Sequence, residues 1–169
     1  MFKLLQTFLD IALWRKGPQD LPASRFLALL VLLVYVLASF VQVHLFKLPL
    51  RSAVLIITVD VAMLAGWLWL VLAFFGRRQR FVQTVTALLG VGLLLTLVDI
   101  GVRALQLALG AGDLASFWLL LRFFVMALIM GRIFMHALDR GLLTGMALTV
   151  AIVYSTQAVA DVVVTRMQG

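Results

Sequence analysis

Five long apolar runs take up most of the chain and leave it few ways to fold. They extend over about 26–46, 52–75, 81–109, 114–135 and 142–164. Each meets the roughly 20 residues an α-helix needs to cross the hydrocarbon core of a bilayer. The breaks between them are short: Lys47 to Arg51, Gly76 to Arg80, Gly110 to Asp113 and His136 to Gly141. Connections of this length join antiparallel neighbours. The third run is longer than a crossing needs, so it is expected to tilt or protrude. The expected fold is all-α. It is a polytopic membrane bundle of five transmembrane helices in one domain, 1–169, preceded by an N-terminal amphipathic interfacial helix.

Composition agrees. The 169 residues are 64% hydrophobic and 12% charged, against about 45–50% and about 25% in soluble domains. A net charge of +7 would suggest nucleic acid in a soluble protein. Here no nucleic-acid motif accompanies it, and the basic residues flank the apolar runs, where they orient helices and meet anionic headgroups. No nucleic-acid partner is expected; the lipid bilayer is. The chain has no cysteine, which excludes disulfides, thiolate metal sites and thiol nucleophiles. It also has no Glu and no Asn, so side-chain carboxylate chemistry falls to seven Asp residues.

Residues 2–13 read as the amphipathic part of an interfacial element over 2–15. At about 100° per residue, Lys3, Gln6, Thr7 and Asp10 share one arc. Phe2, Leu4, Leu5, Phe8, Leu9, Ile11 and Ala12 cover the other side. Such a helix lies in the membrane interface or packs its apolar face on the chain's own bundle. Gln6, Thr7 and Asp10 interrupt the apolar run, and no small-x-small site follows, so a cleaved signal peptide is not expected. Trp14-Arg15-Lys16 suits headgroup level. Gly17-Pro18-Gln19-Asp20-Leu21-Pro22 breaks the helix, and Ser24 is placed to cap the next one.

Lysine and arginine set the orientation. With the N-terminus inside, the inner flanks hold Lys3, Arg15, Lys16, Arg25, Arg77, Arg78, Arg80, Arg132 and Arg140. The outer flanks hold Lys47, Arg51, Arg103 and Arg166. The N-terminus is therefore expected in the cytoplasm and the C-terminus outside. High Ala, Leu and Val with no Asn suggests a bacterial inner membrane, which makes the outside the periplasm.

Charges within the runs mark candidate functional positions, because an ionised group there costs roughly 2.5–3.5 kcal/mol at mid-span. Asp99 and Arg103 are spaced to share one helix face, acid before base. Asp60 and Arg122 each lie about 12 Å in from the outer end of their runs at 1.5 Å per residue. Asp161 is near the outer end of the last run, and Gln42 and His44 near that of the first. All five runs thus offer a polar group to one leaflet, and the proposed intramembrane cluster is Asp60, Asp99, Arg103, Arg122 and Asp161. Equal depth pairs Asp60 with Arg122. The pair fixes helix packing, belongs to a functional pocket or proton-sensitive site, or contacts a partner subunit, and Asp161 reads as a residue at the aqueous boundary. Gly141 with Gly145, and Ala62 with Gly66, are small-xxx-small pairs suited to close helix approach. Trp67, Trp69, Trp118 and Tyr154 read as lipid-facing or belt residues.

Catalytic signatures are missing. The two histidines fall on opposite sides, so no metal site is expected, and no cofactor is implied. There is no His-Glu-x-x-His, Gly-x-Ser-x-Gly or phosphate loop. Asp60 in Thr-Val-Asp-Val-Ala and Asp99 in Leu-Val-Asp-Ile-Gly do not match the Gly-x-Gly-Asp motif of intramembrane aspartyl proteases. The Asn-containing motifs of lipoprotein signal peptidases cannot occur here. A cytoplasmic start followed by five spans is similar, in topology alone, to the small five-span proteins of Golgi trafficking, and no residue is carried across.

The expected function is therefore non-enzymatic: a scaffold or accessory subunit of a membrane complex, with other membrane subunits or a second copy as partner. The alternative is a small transporter or channel-like protein using the outer-leaflet Asp/Arg cluster. A third reading is lipid binding by the N-terminal helix and the basic loops.

Overall fold

The computed structural model describes the backbone of residues 2–45, 49–110 and 114–168. Lys47 and the 111–113 stretch lie outside the described residues, as do the side chains of Lys3 and Arg166. Regular structure among the described residues is helical throughout. A short helix α1 (Phe2–Ala12) precedes α2 (Arg25–Leu45), α3 (Leu50–Phe74), α4 (Phe81–Leu109), α5 (Leu114–Leu138) and α6 (Leu142–Gln168). The last five are long and apolar enough to cross a membrane.

The helix starts and stops have local causes. Ser24 Oγ accepts a hydrogen bond from Leu27 N at 3.3 Å, capping α2 as its place before the apolar run suggests. α4 ends where Gly110 turns left-handed, at φ +64°, a conformation glycine adopts without strain. α5 runs past the expected end at 135 to Leu138 and stops at Asp139, φ +53°. Arg80 makes that extension possible: its Nη1 donates to the carbonyls of His136 (2.9 Å) and Ala137 (3.2 Å), which the helix leaves unpaired at its C-terminus.

α4 sits at the centre, against α1, α2, α3 and α5, while α5 with α6 and α3 with α6 close the bundle. Its first half is buried from Thr84 to Val91 apart from Val85. The hydroxyls of Thr84 and Thr86 bond back to the Arg80 and Val82 carbonyls, so they enter the core without an unmet donor. α1 packs on α4 through Phe8 and Ile11, and the Phe8 ring fills the space a side chain at position 90 would need. Leu5, Leu9 and Leu13 remain exposed, so the apolar face of α1 is only partly used by the bundle. Gln83 ties the following segment down by donating to the Leu21 carbonyl at 2.9 Å.

α5 and α6 approach each other closely. A side chain at position 145 would strike the Gly131 carbonyl oxygen. The Gly145 half of one small-xxx-small pair is thus used within the chain, whereas Gly66 of the other has open space beside it and Ala62 is exposed.

Candidate functional site

Polar side chains meet away from the basic end of the bundle, in a belt fed by all five long helices. Each contribution follows from helix spacing. On α2, Tyr35, Ser39 and Gln42 recur at intervals of four and three and face α3 and α4. On α4, Thr96 and Asp99 do the same. Asp60 comes from α3, Trp118 and Arg122 from α5, and Thr156 and Gln157 from α6.

Asp99 is the most enclosed charge, only 5% exposed. Oδ1 accepts from Trp118 Nε1 at 3.0 Å, and Oδ2 accepts from Gln42 Nε2 at 3.0 Å. Arg122 Nε lies 2.7 Å from Oδ2. Its N–H is not aimed along that contact, so the attraction is of charge to charge rather than a hydrogen bond. This corrects the pairing that depth alone suggests: Arg122 takes Asp99, not Asp60. Level along a helix is read from the sequence, but rotation about its axis is not, and α5 turns Arg122 toward α4. Trp118 is likewise bound into the belt rather than left at a lipid surface.

Asp60 is held differently. Its Oδ2 accepts from the Tyr35 hydroxyl at 2.6 Å, and among the described residues Oδ1 has no hydrogen bond. No ion pair to Asp60 occurs within 4 Å among the described residues. Asp60 and Arg122 still face the same space, since both line two adjoining cavities of about 200 Å³ each. Tyr35, Thr96, Thr156 and Gln157 are shared by both. One cavity continues toward the basic end, between Leu88, Met126, Met130 and Phe134. The other lies on the side away from that end, between Gln42, Ile56 and Ala160. Sharing six lining residues, they make one polar-necked passage, with Leu88 and Phe134, both fully buried, in its wall toward the basic end.

The remaining candidates lie outside this space. Asp161 is exposed and accepts from Gln157 Nε2 on its own helix at 3.0 Å. Arg103 is half-buried one turn beyond Asp99 and lines neither cavity. Tyr35, Thr96, Thr156 and Gln157 carry no charge to mark them within the apolar runs. The Tyr35–Ser39–Gln42 spacing was a legible sign, because one face of an apolar helix carries all three.

A second polar group closes the basic end. Asp139 meets Arg77 Nη2 at 2.8 Å and Arg80 Nη1 at 3.1 Å. These contacts, the Arg80 hydrogen bond first, hold its carboxyl below the usual carboxylate range. Arg132 donates to the Trp14 carbonyl at 2.9 Å and stacks on the Trp14 ring, fastening the end of α1 to α5. Arg78 stacks in the same way on Trp69.

No family model matches the chain, and searches of curated proteins and of solved structures return no match.

Proposed function

We propose that the chain is an integral membrane protein whose five long helices cross the bilayer, and that it takes a small polar solute into the passage at Asp60, as a transporter or solute-binding protein. The observation that carries this reading is the cavity itself. A bundle whose buried charges only fixed packing would close over them dry and fully paired. Here Asp60 borders a space with room for several waters, at about 30 Å³ of liquid volume each. The role is non-enzymatic. Asp99 is engaged on both oxygens, so it is not free to share a proton with Asp60 as an acid–base dyad would require.

Membrane insertion is supported by what the helices expose. Phe26, Leu29, Leu30, Leu33, Leu37 and Val41 run along the outside of α2, a face far too apolar and continuous for water. Lys16, Arg77, Arg78, Arg80, Arg132 and Arg140 gather at one end, which the positive-inside rule assigns to the cytoplasm. The passage then opens toward the far leaflet and is shut by Leu88 and Phe134 on the cytoplasmic side. A bound solute, rather than a continuous pore, fits that shape. Residues 2–15 with exposed Leu5, Leu9 and Leu13 complete the arrangement as an interfacial helix.

Thiol labelling tests the reading on a clean background, because the chain has no cysteine. Thr156→Cys should react with a membrane-impermeant thiol reagent added from the extracytoplasmic side, and Leu88→Cys should not. Protection of Thr156→Cys from that side would remove both the passage and its orientation.

A second reading, a subunit of a membrane complex, is favoured by one observation: Thr58, Ala62 and Gly66 leave a smooth exposed strip on α3. Such strips admit close approach of another helix. Gly66→Leu that changes neither self-association nor co-purifying subunits in native membrane would count against it.

A further inference from the structure

We infer that the passage is a site for a small organic ammonium ion, with its charged head at Asp60 and its apolar remainder against Leu88, Met126 and Met130. The inference rests on the cavity reading above and adds the ligand class.

Charge balance comes first. The charged residues lining both cavities are Asp60 and Arg122. Arg122 is committed to Asp99 at 2.7 Å. Asp60 therefore has no ion pair within 4 Å among the described residues. A carboxylate without an ion pair in a low-dielectric interior is costly, and a ligand carrying one positive charge would supply that pair. An anion would meet Asp60 directly, while the guanidinium that might have received it is occupied.

The acceptors suit an ammonium head, which offers three N–H donors. Asp60 Oδ1 has no partner among the described residues. Gln157 spends its amide N–H on Asp161, so its carbonyl oxygen remains available to accept. Thr96 and Thr156 add hydroxyl oxygens on the same wall. A bare alkali ion would use those oxygens but leave the rest of the space empty. The cavity toward the basic end is walled by Leu64, Leu88, Leu95, Met126, Met130 and Ile152, which gain by covering an alkyl chain. Head and tail are thereby directed apart along one passage, with the methionines able to adapt to the tail.

The experiment uses the purified full chain in mild detergent, with n-butylammonium as probe and methylammonium, butanol, butyrate and sodium as comparisons. Butylammonium is expected to raise Tm saturably, with an apparent affinity at least tenfold above that of any comparison. Asp60→Asn should lower the affinity for butylammonium at least tenfold. Met126→Trp, which fills the tail end, should weaken butylammonium more than methylammonium. This second variant keeps the test intact if Asp60→Asn does not fold. Equal responses to butanol, butyrate or sodium, or undiminished binding in folded Asp60→Asn, would overturn the assignment. If Thr156→Cys is labelled from outside while butylammonium does not bind, the ligand class is wrong and the passage stands. If both fail, the passage falls as well.

Discussion

Arg122 and Arg80 each reach one aspartate, but in surroundings that give the two contacts different work. Arg122 meets Asp99 at 2.7 Å, where the carboxylate is 5% exposed and further bound by Gln42 and Trp118. Arg80 meets Asp139 at 3.1 Å, where the carboxylate is 49% exposed and the same guanidinium nitrogen also serves two helix-end carbonyls. An exposed pair is worth little, about 0–1 kcal/mol. A buried one is costly to break, because the survivor is left uncompensated. The belt should therefore be sensitive to single changes of charge. The basic end should be sensitive chiefly to loss of the backbone cap.

The sharpest way to break this contrast is Asp99→Ala. It strands Arg122 and removes acceptors from Gln42 and Trp118, for an expected loss of about 3–5 kcal/mol. Reversible unfolding in detergent reads it, and Asp99→Ala combined with Arg122→Met should recover much of the loss. Equal losses in the single and double variants would show that the charge contact is not what holds α4 to α5.

Next in size is Gly145→Val. It drives a side chain into the Gly131 carbonyl and should cost about 1–3 kcal/mol, as overpacking does. Gly66→Val, on the open strip of α3, should cost far less in the same assay. Arg80→Met follows at about 1–2 kcal/mol, since hydrogen bonds to a charged donor are lost at a partly exposed site. Faster amide exchange around residues 139–140 would locate the effect at the end of α5. A loss as large as that of Asp99→Ala would erase the distinction between the two ends.

The uneven legibility of the sequence has the same origin as this contrast. Apolar length and punctuation are local properties, so the five long helices fall within a few residues of the runs that announce them. Ser24 caps α2 for the same local reason. α5 overran its expected end because the group that completes its last turn, Arg80, comes from the start of another helix. The partner of Arg122 was hidden for a related reason. Depth counted along separate runs does not fix how the helices turn and shift against one another, and that packing decides which acid the guanidinium meets. Tyr35 draws no notice among the phenylalanines of its apolar run until Ser39 and Gln42 are seen on its face.

Asp60 tests whether the belt itself has two parts. Its carboxylate accepts one hydrogen bond, from Tyr35, and an amide oxygen can accept the same bond. Asp60→Asn should therefore change stability by less than about 1 kcal/mol, while Asp99→Asn in the same belt should be plainly destabilising. Equal losses would make Asp60 a packing residue like its neighbour.

The smallest effect is expected from Asp139 and is visible only against pH. Its folded pKa lies below the usual carboxylate value, with the Arg80 hydrogen bond as the main cause. The folded state thus binds this proton less readily than the unfolded chain. The stability that Asp139 contributes is complete above the ordinary carboxylate pKa and declines as pH falls through its lowered value. Tm measured from neutral pH into the acid range should fall slightly less steeply in Asp139→Asn than in the wild type, with a lower plateau near neutrality. Raising the salt concentration should narrow that gap, because both partners at the basic end are partly open to solvent. The same salt should change the cost of Asp99→Ala less, since Asp99 itself is buried by the helices around it while Arg122 alone borders the cavities. A salt response of similar size at both sites would mean that the belt is as open to bulk electrolyte as the basic end.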